Sequence, residues 1–495
     1  MAGRQRLSER TLREATGCSL PGYDRRQVTA GIVHLGVGAF HRAHQAVYVD
    51  DCIAAGETGW GIVGASLRSA DTRDALAPQD GLFALAVQDS SGERLRIVGS
   101  ELALVVAPED PAALLARMAD PAIRIVTLTV TEKAYLRDAS GGLDLAHPDI
   151  VWDLANPDAP RTVHGFIVSA LARRKAAGVP PFTVLCCDNL PDNGGTVRRL
   201  VLAFARARDA ALARHVESEI AFPSTMVDRI VPATTDADRE RISAAIGLDD
   251  AWPVKTEPFM QWVVEDHFPS GRPGWERFGV TMVADVRPYE EMKLRLLNGS
   301  HSGMAYLGLL CGRESISDAF ADPDIRRFVD GLWGEAIPTL PAGAGLDPKA
   351  YTQALAARYS NTALVHRTAQ IANDGSQKLP QRIVSTARAQ LAAGRPAGHL
   401  MLVAAAWIAA CQSRGASLPA GHFTDPLDAK LAAIFAGNPD AAETVRLVFA
   451  AAGFDALAGE AAARLAALAT GFLHIIRTNG PRAAIAAAAQ PEKTA

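Results

Sequence analysis

Cysteine is scarce in this chain: six in 495 residues, with Cys186 and Cys187 adjacent, the other four scattered, and no Cys-x-x-Cys pair. That usage excludes a disulfide framework and a cysteine-built zinc site, and a reduced, cytoplasmic protein is expected. Long apolar runs are lacking too. The longest, Leu400 to Cys411, falls well short of the roughly 20 residues needed to span a bilayer, so a buried core helix is expected there and no membrane partner. The first residues are charged and carry no apolar stretch, so no secretory leader is expected. There is no basic excess, with 50 Lys and Arg against 54 Asp and Glu, which argues against nucleic acid as a partner. His41 and His44 lie three apart without a cysteine or carboxylate cluster beside them, so no metal is expected.

What is present is enough apolar residue, 48%, for sizeable cores in more than one domain. No repeat of fixed period is visible. The first half alternates short β-rich runs (32–35, 61–65, 123–130 and 183–187) with helical stretches, the pattern of a parallel sheet covered by helices on both faces. From about Pro288 onward long Ala- and Leu-rich segments predominate, including 381–393, 399–412 and 460–477, the last ending at Asn479-Gly480-Pro481. The fold class expected is α/β: a Rossmann-like parallel-sheet domain over 1–286, with its core from about residue 28, then a mostly α-helical domain over 287–495.

After the first run comes Gly36-Val37-Gly38-Ala39-Phe40-His41-Arg42, leading into a helix. Two glycines allow a tight turn and close approach to a pyrophosphate seated on the helix N-terminus. A strict Gly-x-Gly-x-x-Gly has a third glycine where this chain has His41, so the motif is weak alone and gains from its place between strand and helix. Beyond the second run, Asp71 is the carboxylate best placed for the ribose hydroxyls of NAD. Arg68 nearby would instead suit a 2′-phosphate, leaving NADP as the less favoured cofactor.

The segment Lys293-Leu-Arg-Leu-Leu-Asn298-Gly-Ser-His301 sets an amine, an amide and an imidazole at helical spacing. At about 100° per residue Asn298 falls about 140° round from Lys293, with His301 between them at about 80°. A lysine withdrawn from water can serve as general acid/base, an amide can stabilise an alkoxide, and a histidine can orient a hydroxyl. The competing reading is a buried helix with a satisfied polar patch.

These pieces together resemble the mannitol dehydrogenase family of polyol-specific, metal-independent long-chain dehydrogenases. The resemblance covers nearly the whole chain and rests on Gly36 to Gln45, Thr129-Val-Thr-Glu-Lys133, Cys187-Asp-Asn189-Leu, Met226-Val-Asp228-Arg-Ile-Val-Pro232 and the Lys293–His301 segment. It implies that Lys293 is the catalytic acid/base, that Asn189 and Asn298 form the oxyanion site, that His301 binds substrate hydroxyls, and that Asp228 and Lys378 line the substrate site.

Within that family the details look more like the branch that interconverts D-fructuronate and D-mannonate than the branch acting on mannitol and fructose. They are His366-Arg367-Thr368, Gln370-Ile371, Asp374-Gly-Ser-Gln-Lys378-Leu-Pro-Gln-Arg382 and Lys133, where mannitol enzymes tend to have glycine. A uronate brings a carboxylate that must be paired in a low-dielectric cleft, and Lys133, Arg367, Lys378 and Arg382 are the cationic candidates. A neutral-polyol (mannitol, arabinitol or sorbitol) 2-dehydrogenase is the alternative, and a monomer and a homodimer are equally compatible with the sequence.

Overall fold

The computed structural model describes residues 4–343, 345–413, 418, 421–454 and 460–490. The chain divides into two compact units, residues 1–287 and 288–495.

The first unit is built on a five-stranded sheet: β1 (Ala30–Leu35), β2 (Gly61–Ser66), β3 (Glu101–Val106), β4 (Ile125–Leu128) and β5 (Thr183–Cys186). All its neighbours pair in parallel, in the spatial order β3-β2-β1-β4-β5. Runs such as Ile125-Val-Thr-Leu are buried throughout, as strands covered on both faces must be. Helices 111–119, 163–176, 193–208 and 210–219 supply Leu114, Phe166, Val197 and Val216 to the core on one face. On the other face, helix Gln45–Ala54 packs with Trp262 and Trp275. The strand order reverses between β1 and β4, the switch point at which open α/β sheets bind ligands beyond the strands' carboxyl ends.

Two smaller sheets complete this unit. A hairpin of Phe83–Asp89 and Gly92–Val98 is extended by Val254–Thr256 and Cys18–Ser19, and Gln261–Glu265 lies between Thr225–Asp228 and Thr281–Val283. The sequence reading anticipated neither these sheets nor β3. The fold class stands as expected.

The second unit is helical. The run Leu400–Cys411 lies in helix Gly398–Ser413 and is buried along its whole length. Helix Gly299–Leu310 packs on it closely enough that a Cβ on Gly303 would sit 3.3 Å from Val403. Helix Glu460–Asn479 ends at Gly480, φ +86°, and Pro481 opens the next helix. Among the described residues no helix is long and apolar enough to cross a membrane.

Candidate functional site

In the first unit, the glycine-rich turn leaves β1 at the switch point. Gly36 has φ +97°, and a Cβ there would lie 2.2 Å from the carbonyl oxygen of Thr129, so only glycine fits. Gly38 differs: a Cβ would meet nothing nearer than 3.9 Å, and the space above it is open. Such a cradle fits a dinucleotide pyrophosphate, with the first-turn N–H groups of helix Ala39–Ala43 facing it. The turn is braced from below. The Thr129 hydroxyl donates to the Gly36 carbonyl at 2.8 Å, and His34 bridges Thr127 Oγ1 at 2.7 Å and Thr129 Oγ1 at 2.8 Å.

The side chains of His41 and Arg42 point away from this cradle. His41 is fully buried, stacks on His34 with ring centroids 3.4 Å apart, and bonds the Glu101 carboxyl through Nε2. Burial pushes the His41 imidazole down to about 3 and the Glu101 carboxyl up to about 7. Arg42 bonds the Trp252 carbonyl and lies against Phe83. Any contact of these two positions with a cofactor is left to their backbone. Val37 is buried against Gly64, while Ala39 and Phe40 stay half-exposed.

Asp71 is exposed at the start of helix Asp71–Leu76 and accepts a hydrogen bond from the Ser69 hydroxyl. A cavity of about 490 Å³ opens beyond the ends of β2, β3 and β4, lined by Arg68, Pro108, Lys133, Trp152, Arg161 and Phe166 among others. Lys133, read as a substrate cation, is exposed and belongs to this cavity's rim.

Asn189 is exposed just past β5, and Asp228 is buried at the end of strand Thr225–Asp228. Between Asn189 and the strand stands Asp188, which the sequence reading passed over. Its carboxylate accepts hydrogen bonds from Val130 N–H (3.0 Å), Thr131 N–H (3.1 Å) and the Tyr135 hydroxyl (2.6 Å). Thr131 has φ +71° and ψ 155°, a conformation that is essentially glycine's and costs a β-branched residue about 1–3 kcal/mol.

In the second unit, Lys293 to Asn298 form a π-helical turn, contrary to the α-helical spacing expected from the sequence. The N–H of Gly299 donates to the Leu294 carbonyl, five residues back, so Lys293 and Asn298 lie about one turn apart along the helix instead of diverging by 140°. Both are half-buried. A second π turn, Pro380–Val384, carries Arg382; proline has no N–H to continue the α ladder. The two turns pack together, a Cβ on Gly299 reaching to 3.4 Å from the Arg382 carbonyl.

His301 is 8% exposed, with Tyr359 4.9 Å and His366 5.3 Å from its ring. Burial holds its imidazole well below the usual range, and the charges of His366, Arg358 and Arg382 push the same way. Arg382 donates to Ser302 Oγ at 3.2 Å, and burial lowers its guanidinium too. Among the described residues no carboxylate pairs with it. Lys378 is held differently, by the Asn373 carbonyl at 2.7 Å and Asp374 at 3.6 Å. Arg367 is exposed. The structure therefore gathers Lys293, Asn298, His301, Lys378 and Arg382 within one unit but leaves Lys133 and Arg367 at the surface. Arg358 was missed, although a signal existed: it falls in helical register with buried Tyr351, Leu355 and Tyr359. Among the described residues, no three His, Cys, Asp or Glu side chains come together as a metal site.

Residues 30–277 match the mannitol dehydrogenase Rossmann domain and residues 285–461 the mannitol dehydrogenase C-terminal domain. The chain is 46% identical over 395 residues to a mannitol 2-dehydrogenase of Cereibacter sphaeroides, covering 79% of this chain and 83% of the relative. It is 45% identical over 394 residues to the D-mannonate oxidoreductase of Escherichia coli, covering 78% and 81%. Its fold superposes on Pseudomonas fluorescens mannitol 2-dehydrogenase, solved as a ternary complex with NAD and D-mannitol, with a TM-score of 0.83 at 38% identity over 98% of this chain and 99% of that one. The chain belongs to the mannitol dehydrogenase family of oxidoreductases, which act on CH–OH groups.

Proposed function

We propose that this enzyme interconverts D-fructuronate and D-mannonate with NAD as cofactor. The observation that carries the substrate reading is Arg382. A guanidinium taken out of water without a carboxylate partner is costly, and a substrate carboxylate relieves that cost through charge-assisted hydrogen bonds. The electropositive surroundings of His301, to which Arg358 contributes, favour the same anionic substrate.

In this reading residues 1–286 bind the dinucleotide, with the pyrophosphate against Gly36–Arg42 and the ribose near Asp71, and residues 287–495 bind the sugar acid. When bound, the nicotinamide supplies a hydride in reduction and accepts one in oxidation. Lys293 gives a proton to the forming alkoxide in reduction and removes it in oxidation. Asn298 donates a hydrogen bond to that oxygen and His301 orients the hydroxyls, and Asn189 and Asp228 are the first unit's candidates for the same two roles. Lys378 is a lesser carboxylate candidate than Arg382, because Asp374 and the Asn373 carbonyl already engage it.

A neutral ketose–polyol pair is the second reading. The exposure of Lys133 and Arg367 favours it, since it removes two of the four cations first considered for a carboxylate. Following NADH oxidation with D-fructuronate and with D-fructose at matched concentrations decides between them. A preference of roughly a hundredfold for fructuronate is expected, about the worth of one charge-assisted contact. A preference for fructose would replace the proposal with the neutral-polyol reading.

A further inference from the structure

Three segments meet at the carboxyl ends of β1, β4 and β5, and one carboxylate ties two of them together. The segment after β4 is tight against the glycine turn after β1: the Thr129 carbonyl occupies the space a Cβ on Gly36 would take, and the Thr129 hydroxyl donates to the Gly36 carbonyl. Two residues on, Thr131 takes its glycine-like conformation, and a short turn, Glu132–Tyr135, runs to Leu136, which also has positive φ. This strained stretch is held from β5. Both oxygens of Asp188 are used, Oδ2 by Val130 N–H and the Tyr135 hydroxyl and Oδ1 by Thr131 N–H. The backbone of Asp188 is itself fixed, its carbonyl accepting from Leu190 N–H at 2.8 Å and from Asn193 Nδ2 at 3.1 Å. The next residue is Asn189.

We propose that Asp188 is a positioning residue: its carboxylate holds Thr131 in the strained conformation and so sets the register between the cofactor turn at Gly36 and the oxyanion donor Asn189. This rests on the oxidoreductase reading above. A backbone this unfavourable for threonine persists only where its surroundings over-determine it, and here two N–H groups and a phenol converge on one side chain to do so. A carboxylate suits the task because it only accepts. An asparagine of the same shape would turn an NH2 group toward groups that also donate.

The test is steady-state kinetics on full-length Asp188→Asn, alone and combined with Thr131→Gly, with thermal unfolding measured in parallel. Asp188→Asn is expected to lower kcat/KM roughly ten- to a hundredfold, the scale of a sub-ångström to ångström misplacement. Thr131→Gly in that background is expected to restore most of the loss, because glycine adopts the conformation without being held. A merely structural role would not produce that rescue. Tyr135→Phe, which removes one of the three donors, is expected to give a smaller loss in the same direction, and it carries the test alone if Asp188→Asn does not fold. Wild-type kinetics in Asp188→Asn, a loss that Thr131→Gly fails to restore, or unchanged kinetics in Tyr135→Phe where that variant stands alone would overturn the proposal. A wild-type enzyme that reduces neither fructuronate nor fructose would instead overturn the functional reading, and this proposal with it.

Discussion

Arg382 donates to the hydroxyl of Ser302 at 3.2 Å, and that neutral oxygen is the guanidinium's one hydrogen-bond partner among the described residues. Replacing the arginine by methionine keeps much of its length and removes the charge. Arg382→Met is expected to lower kcat/KM for fructuronate roughly a hundredfold, about 3 kcal/mol, and to change that for fructose by only a few fold. It is also expected to raise the melting temperature slightly, because a half-buried charge without a counter-ion is removed. Equal losses on both substrates would show that the arginine does not read the carboxylate.

Gly36 and Gly38 separate folding from binding. Gly36→Ala forces a methyl into the Thr129 carbonyl at a φ that L-residues avoid, so several kcal/mol of stability should go with it. Gly38→Ala meets only open space within the protein. Its melting temperature should stay within about a degree of wild type while NADH affinity, read by fluorescence titration, falls at least roughly tenfold. Unchanged NADH affinity in Gly38→Ala would argue against a pyrophosphate at this turn.

Lys293→Ala should reduce kcat by about three orders of magnitude or more while leaving NADH affinity within a few fold, because a general acid/base acts in the transition state and not on the cofactor. Near-normal turnover would remove the lysine from the proton transfer.

His164, whose ring meets that of Tyr135 edge-on with centroids 6.4 Å apart, gives the fold an acid-sensitive point. It is fully buried, neither ring nitrogen has a hydrogen-bond partner among the described residues, and burial lowers its imidazole to about 4. A folded value below the unfolded one of 6.5 means the unfolded chain binds the extra proton first. The stabilising contribution is therefore complete above about pH 6.5 and is lost as the pH falls toward 4, on the order of 3 kcal/mol in all. Glu101, raised to about 7, works in the opposite sense, favouring the folded state at lower pH and losing that contribution as the pH rises through about 7. The clean comparison is thus between wild type and His164→Leu. Urea midpoints at pH 7 and pH 4.5 should drop less for the variant, and parallel drops would assign the acid lability elsewhere.

Which features the sequence disclosed follows from how local their causes are. Four strands of the main sheet were visible because Ile125-Val-Thr-Leu and its neighbours are apolar on both faces, whereas β3 begins with the buried Glu101 and leaves Leu102 to Val105 half-exposed. The glycine turn was legible, but the inward aim of His41 and Arg42 was not, since it depends on Glu101 and Trp252, distant in sequence. Nothing in Lys-Leu-Arg-Leu-Leu-Asn distinguishes a π turn from an α turn, and the segments it packs near through Gly299, Arg382 and Ile383, are distant in sequence. Pro380 did carry such a signal for the second π turn. Asp188 was quoted in its motif and left without a role, because its partners are two backbone N–H groups and a phenol more than 50 residues away that no sequence pattern marks.

Strand Val254–Thr256 pairs in parallel with Leu85–Val87, and Leu7 N–H reaches the carbonyl of Asp249. The first unit therefore fastens its beginning to its end. During synthesis the hairpin 83–98 waits with an unpaired edge until the ribosome has made some 150 further residues, a long window for wrong strand partners. Its completion then falls just before the helical half leaves the exit tunnel, so a stalled nascent chain long enough for residue 287 to have cleared the tunnel should turn protease-resistant, whereas one whose emerged part ends before residue 254 should not.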